Sequence, residues 1–325
     1  MKTPRISVIT PSFNQGQFLE TCIRSVLDQA YPDLEYILID GGSSDNSAEI
    51  IQRYQSAFTY WVSEPDRGQS DAINKGMRRA GGQLVAWLNA DDFYLPGALQ
   101  AAADAWSANP EASFYYGDGL RVAEDGGGGR KFFPGQVPAF NLDALIHGLN
   151  YILQPATFIN RDVLPQAGYL DESLHYGLDT DLWIRLARLA PPRPVQAVLA
   201  ASREWGSTKT STGSFARIEE LRRLAQRHGG EPVTPGVLCY QLDTLYRYAL
   251  EHPETYPPEY IGELSQFWAA TARLMARYQA GPDGFPFTPG EHNSGEADKS
   301  AEALSPASGG LSRRLRALLA RIQKL

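Results

Sequence analysis

The sequence predicts an α/β fold built on a mostly parallel sheet, and three observations carry that expectation. Short apolar runs alternate with segments of helical periodicity, polar Gly/Ser/Asp loops follow the runs, and one run stops at two adjacent carboxylates. Ile6-Ser7-Val8-Ile9-Thr10 reads as the first buried strand and Pro11-Ser12-Phe13-Asn14-Gln15-Gly16 as the turn after it. From Gln17 to Gln29, Phe18, Leu19, Cys22, Ile23, Val26 and Leu27 recur at helical spacing. Leu34 to Ile39 is a second strand, Asp40-Gly41-Gly42-Ser43-Ser44-Asp45-Asn46-Ser47 its loop, and Ala48 to Tyr54 opens a second helix. That loop has neither the spaced glycines of a dinucleotide fold nor the Gly-Lys-Ser/Thr ending of a P-loop, which disfavours dehydrogenase and P-loop kinase readings. Gly41 and Gly42 serve a tight turn, with Ser44 or Asp45 capping the next helix.

The third observation is Trp87-Leu88-Asn89-Ala90-Asp91-Asp92-Phe93. Neighbouring acids repel and each prefers water, so both at the tip of a core strand need a cation or hydrogen-bond donors to stabilise their charged forms. A divalent metal carrying a diphosphate is the simplest partner; an ordinary turn or helix cap is the alternative. Ligands of open parallel sheets lie outside the carboxyl ends of the strands, where Pro11 to Phe13, Asp40 and Asp91-Asp92 all fall.

These residues resemble a family. Ser7-Val8-Ile9-Thr10-Pro11-Ser12-Phe13-Asn14, the Asp40-Gly41-Gly42-Ser43 loop and Asn89-Ala90-Asp91-Asp92 are similar, in order and spacing, to the nucleotide-sugar-binding half of family 2 glycosyltransferases. Glu64 to Gly76 resembles the segment between the third strand and the metal motif, and Leu178-Asp179-Thr180-Asp181-Leu182-Trp183 the second acidic motif, so the resemblance covers roughly residues 5 to 210. It implies a GT-A fold: a single Rossmann-like, mostly parallel sheet flanked by helices that binds a nucleoside-diphosphate sugar and, usually, a divalent metal. By position Asp92 is then the metal ligand, for Mg²⁺ or Mn²⁺, and Asp91, beside Asn89, the ribose or sugar contact. Thr10, Pro11, Ser12, Phe13 and Asp40 surround base and ribose, and Asp71 reaches into the same pocket or caps its own helix.

Asp179 and Asp181 precede Leu182, Trp183, Leu186 and Leu189, which are spaced for a docked helix, so both acids fall in its first turn. A helix amino terminus favours carboxylates for electrostatic reasons alone, which explains one of them. The resemblance gives Asp179 the position of the general base that accepts a proton from the acceptor hydroxyl in a single inverting displacement. Asp181 is structural or acceptor-binding. Gln154, after the apolar Tyr151-Ile152-Leu153, is an acceptor-side candidate, with Asp118 similar; His175 reads as a packed or surface residue.

Two departures limit the carry-over. Many members place two aspartates where this chain has Asp40-Gly41, and the second would contact the base, so the nucleobase is open. Relatives often have a metal-binding histidine where this chain has Trp205, and an indole cannot ligate a metal. Either Asp92 and diphosphate hold the ion alone, or Arg203 and Lys209 replace part of its charge.

Composition bounds the rest. The chain has 325 residues, 43% of them hydrophobic, and a formal net charge of −7, so a large core is affordable and nucleic-acid binding is disfavoured. Cys22 and Cys239 read as small core residues, and with no leader-like or membrane-length apolar run the expected location is cytoplasmic. The expected organisation is a catalytic domain over 1–214, an all-helical appendage over 215–280, a disordered Pro/Gly/Ser-rich linker over 281–310 and a basic amphipathic helix over 311–325. That last helix can lie on an anionic membrane near a lipid-linked acceptor, on the inner face of the cell membrane, or dock on the body or a second copy in a homo-oligomer. The sequence therefore predicts an inverting glycosyltransferase that moves sugar from a nucleoside-diphosphate sugar to a saccharide or lipid-linked acceptor in surface polysaccharide or glycolipid synthesis. The rivals are a sugar-phosphate nucleotidyltransferase, whose Gly-rich opening with Arg and Lys is not found at Pro11 to Gly16, and a catalytically silent glycan-binding relative.

Overall fold

Four parallel strands form the frame: β1 (Ile6–Ser12), β2 (Leu34–Asp40), β3 (Tyr60–Ser63) and β4 (Leu84–Trp87). Their order across the sheet is β3-β2-β1-β4, with Ile6 beside Leu34 and Leu84, and Ser12 beside Asp40, so β1 and β2 end level with one another. The described residues of this computed structural model are 3–133, 135–206, 214–231, 233–252 and 254–267.

Helix α1 (Gly16–Leu27), helix α2 (Ser47–Arg53) and helix α4 (Ala98–Ala108) bury their apolar stripes on one face, against Val8, Leu38 and Ala86. Helix α3 (Gln69–Arg79) covers the other face so closely that a side chain at Gly76 would run into Ile9. The strand–loop–helix units expected from the periodicity are all present, with helix ends shifted by one or two residues, the usual fraying of such boundaries.

Beyond β4 the sheet turns mixed. Strand β5 (Phe93–Tyr94), strand β6 (Phe114–Val122), strand β7 (Arg130–Lys131), strand β8 (Thr157–Asn160) and strand β9 (Arg193–Arg203) extend it in the order β4-β8-β6-β9-β5, with β7 on β6. β8 runs antiparallel to both neighbours, β5 is antiparallel to β9, and β6 and β9 are parallel with a bulge around Asp118. The mostly parallel sheet expected from the sequence is thus present, with the antiparallel pairings confined to β5, β7 and β8. Short helices α5 (Leu142–Ile146) and α6 (Leu164–Ala167) precede α7 (Leu178–Leu189), which stacks Trp183 on Trp87 at 5.3 Å between ring centroids and so docks on the end of β4.

The chain divides into two units, 1–237 and 238–325. In the first, α8 (Ser214–Arg227) follows the sheet and buries Ile218, Leu221 and Leu224. Helix α9 (Pro235–Glu251) follows, a further helical stretch covers 258–267, and Tyr256 stacks on Tyr260 at 5.6 Å. Cys22 and Cys239 are free and buried. The linker expected over 281–310, and the amphipathic helix and membrane contact expected over 311–325, lie outside the described residues. Among those that are described, no helix is long and apolar enough to cross a membrane.

Candidate active site

The loops after β1 and β2 are tied together by their own side chains. Asn14, at a φ of 51°, accepts from the Ser44 amide at 2.8 Å, and its own amide donates to Ser43 Oγ at 2.8 Å. Asp40 is fully buried and spends both carboxylate oxygens on the chain: Oδ1 accepts from Ser43 Oγ at 2.5 Å, and Oδ2 from Ser63 Oγ at 2.6 Å and from the amides of Gly42 and Ser43. Asp45 accepts from the amides of Gly16 and Ser47 and so ties the entry of α2 to that of α1, while the N-cap of α2 is Asn46, with no side-chain cap. Thr10 points into the core, 3.0 Å from the Tyr36 hydroxyl, and Pro11 is buried beside it. At the end of β1, Ser12 Oγ is buried without a hydrogen-bond partner among the described residues, while Phe13 is 60% exposed.

The missing second acid has a physical counterpart. A Cβ on Gly41 would lie 2.6 Å from Asp66 Oδ2, so the carboxylate of Asp66 fills the space a side chain at 41 would take. Asp66 Oδ1 meanwhile accepts from the Gly68 amide at 2.8 Å. Asp71 is buried at the start of α3, where burial pushes its carboxyl up but the Arg67 amide and the charges of Lys75 and Arg67 outweigh that and hold it below its usual range. Arg67 also reaches Glu172 at 2.7 Å, and Lys75 reaches Glu64 at 3.1 Å.

Asn89 is the hub between the two halves. Its Oδ1 accepts from Gln69 at 2.8 Å, and its amide nitrogen donates to Gln154 Oε1 at 3.0 Å and to Asp92 Oδ2 at 3.4 Å. Gln154 in turn donates to the Trp87 carbonyl at 2.8 Å, so its amide is engaged from both ends. Four residues earlier in the same stretch, Asn150 donates to Asp179 Oδ2 at 3.4 Å and accepts from the Ile152 amide at 3.2 Å. Asp92 and Asp179 therefore flank the two ends of the 150–154 stretch, whose four residue steps span at most about 14 Å. The Trp87–Trp183 stack fixes the same relation independently, one helical turn beyond Asp179 and five residues before Asp92.

The carboxylates differ in electrostatic state. Burial, then the Asp91 charge, push Asp92 well above the usual range, although the Arg203 amide donates to its Oδ1 at 3.0 Å. Asp91 is also raised by burial, against a hydrogen bond of 3.1 Å from the Trp205 indole to its Oδ2. Asp179 is raised by burial against donors from the Thr180 amide, at 2.6 Å, and the Thr180 hydroxyl. In Asp181 burial is outweighed by His228, at 2.8 Å, and Arg185, at 2.7 Å, so its carboxyl is lowered. Arg203 is buried, donates to the carbonyls of Asp91 and Glu124, and lies over the Phe18 ring at 4.6 Å and the Phe93 ring at 5.6 Å. It floors an open pocket of about 770 Å³ walled by Gln17, Thr21, Glu124 and Asp125.

Sequence comparison decides the family. An uncharacterized glycosyltransferase of Mycobacterium tuberculosis is 31% identical over 234 residues, covering 70% of this chain and 86% of its own length, and the Glycosyl transferase family 2 description matches residues 7–133. The chain belongs to glycosyltransferase family 2. An uncharacterized glycosyltransferase of Rickettsia conorii is 29% identical over 63% of this chain and 35% of its own. Among solved structures, Staphylococcus aureus TarS 1–349 in complex with UDP-GlcNAc superposes with a TM-score of 0.57 at 15% identity, covering 84% of this chain and 80% of that one. The mannosyltransferase PcManGT of Pyrobaculum calidifontis, in complex with GDP-Man and Mn²⁺, gives a TM-score of 0.53 at 18% identity, covering 84% and 81%. The fold is GT-A.

In this glycosyltransferase the structure brings Asn89, Asp91, Asp92, Gln154 and Arg203 together and sets Asp179 at the far end of the 150–154 stretch. Thr10 and Asp40 have side chains committed to internal bonds, Asp181 faces Arg185 and His228, and Lys209 lies outside the described residues. Asp118 accepts from the Gly119 and Phe133 amides and pins its own bulge. Among the described residues no group of three or more His, Cys, Asp and Glu is placed to hold a metal ion by itself. The donor set still fits a hard cation, because the buried Asp92 and the half-buried Asp91 adjoin with both carboxyls pushed up by burial, and Mg²⁺ or Mn²⁺ completes its sphere with diphosphate and water oxygens. Asn150, Asp66 and Glu220 carry contacts that the sequence pattern does not single out. Asn150 stands only as a polar residue before an apolar stretch, Asp66 lies within the Glu64 to Gly76 segment without being marked there, and for Glu220 there is no local signal.

Proposed function

We propose that this glycosyltransferase transfers a sugar from a nucleoside-diphosphate sugar to a hydroxyl of a saccharide or lipid-linked acceptor, with inversion, in surface polysaccharide or glycolipid synthesis. The observation that carries the reading is a pair of hydrogen-bonded links at the two ends of the 150–154 stretch, Asp92 through Asn89 to Gln154 and Asn150 to Asp179, which supports a cation-seeking acid and a proton-seeking acid within reach of one site. Asp179 accepts the proton of the acceptor hydroxyl as its oxygen bonds to the anomeric carbon, while the bond from that carbon to the diphosphate oxygen breaks on the opposite face. Its raised carboxyl makes it a stronger base than an ordinary aspartate. Asp92, beside Asp91, would hold a divalent cation, which would supply charge stabilisation for the departing diphosphate. Gln154 and Asn89 hold the geometry between these two acids.

On the donor side, Phe13 offers an exposed ring next to Ser12, whose carbonyl accepts from the Gly41 amide at 2.8 Å. A planar base stacked there meets the backbone at Gly41 and the Asp66 carboxylate, an acceptor only. Such an acceptor meets an N–H of the base, the ring N–H of uracil, thymine or guanine or the exocyclic amine of adenine. TarS bound to UDP-GlcNAc and PcManGT bound to GDP-Man and Mn²⁺ support donors of this kind.

The test is a thermal-shift panel of UDP-, dTDP-, GDP- and ADP-sugars with and without Mn²⁺. A shift with at least one of them that grows with Mn²⁺ is expected. No shift with any of these donors would refute the nucleotide-sugar reading, and a shift indifferent to Mn²⁺ would refute the metal.

A further inference from the structure

Helix α8 carries one acid that neither the donor site nor the core packing explains. The Glu220 carboxylate accepts three successive backbone N–H groups: His175 on Oε2 at 2.8 Å, and Tyr176 and Gly177 on Oε1 at 2.6 and 2.7 Å. These lead directly into α7, whose N-cap is Gly177 and has no side-chain cap of its own. Helix starts leave backbone donors without intrahelical partners, and here a residue from a different helix satisfies those entering the turn. The approach is tight, since a Cβ on Gly177 would lie 2.7 Å from Leu224 Cδ1 and 3.4 Å from Leu221 Cδ2. At the other end of α8, Arg227 and the adjoining His228 hold Asp181, at 3.6 and 2.8 Å, and Arg227 holds Asp171 at 2.6 Å.

We infer that Glu220 is a positioning residue for Asp179. The inference rests on the reading of Asp179 as the base. Asp179 lies two residues beyond Gly177, and one of its oxygens is fixed by the Thr180 amide of the same turn. Its aim at the acceptor hydroxyl therefore depends on a backbone that α7 alone does not hold. Displacement of such a group by about 1 Å costs on the order of 10²-fold in rate, because proton transfer demands hydrogen-bond reach. Helix α8 thereby acts on the chemistry without touching it.

The experiment compares the full-length protein with E220A, E220Q and D179N. Two readouts are used: amide hydrogen exchange over 175–181, and turnover of UDP-GlcNAc or GDP-mannose, whichever the wild type hydrolyses faster. In E220A, exchange at 176–181 should quicken at least about tenfold and kcat should fall about 10- to 100-fold, with donor KM within about twofold. E220Q keeps the Oε1 bonds but turns an amino group toward His175, so it should fall between E220A and wild type, and it carries the same readouts if E220A does not fold. A role confined to stability would lower Tm and leave kcat unchanged below the transition; that result, or unaltered exchange at 178–181, overturns the inference. D179N separates the two failures: full turnover there removes the base itself, whereas an inactive D179N beside a fully active E220A removes only Glu220.

Discussion

Asp92 and Asp181 are both almost fully buried aspartates, 5% and 1% exposed, one at a strand end and one in the first turn of a helix. Burial pushes each carboxyl up. In Asp92 the neighbouring Asp91 charge adds to the push, whereas in Asp181 a histidine and an arginine reverse it. The two acidic motifs look alike as text, and their partners divide them. A buried acid whose charge is not matched by its surroundings is poised for an incoming cation or proton; one that is already matched belongs to the scaffold. Within the second motif the same division separates Asp179, raised, from Asp181, lowered.

The sharpest way to break this contrast is to remove the two acids of the second motif separately. D179N should lower turnover about 10²- to 10⁴-fold, the usual share of a general base, with donor affinity unchanged in a titration. D181A should do the converse. It strips one partner from a buried ion pair, at a cost of about 3 kcal/mol. For a domain of this size that lowers Tm by roughly 6–12 °C, while rate falls far less than in D179N. Equal losses of rate in the two variants would erase the distinction.

The pH dependence carries opposite signs. Asp181, lowered in the folded state, contributes stability that is complete above its unfolded value of about 4 and is lost as the pH falls through the folded value. D181A should therefore flatten the acid limb of the melting profile below about pH 4. Asp92, raised in the folded state, leaves the native protein holding more protons than the unfolded chain above about pH 4, so its contribution is lost as the pH rises toward neutral.

The smallest expected effect follows from that second sign. In metal-free buffer at neutral pH, D92N should melt at or above the wild-type temperature. With Mn²⁺ at about 100 times its Kd the wild type should gain about 2.7 kcal/mol and D92N almost none. A D92N protein that melts lower without metal, or that responds to Mn²⁺ like the wild type, would show Asp92 to be structural after all.

Much of the site was legible because its signals are local. Alternation of apolar runs with helical stripes located β1, β2, β4 and their loops, and turn chemistry put Asp40, Asp91 and Asp92 at strand ends. The spacing of Leu182, Trp183 and Leu186 put Asp179 and Asp181 in one helical turn. The second half of the sheet was harder, since β5 and β7 are two residues long and β8 pairs antiparallel, features that carry no periodicity to read.

By itself, then, the sequence determined the order of elements and which residues reach the carboxyl edge of the sheet, because propensity, spacing and turn geometry act over a few residues. Only the tertiary structure decided what each of those residues meets there. Asp40 turned inward onto its own loop, Asp66 entered the space above Gly41, His228 matched Asp181 across 47 positions, and Glu220 closed the entry to α7 from more than forty positions away. The electrostatic state of a buried carboxylate depends on the charges and donors within a few ångströms of it, and folding brings those from anywhere along the chain.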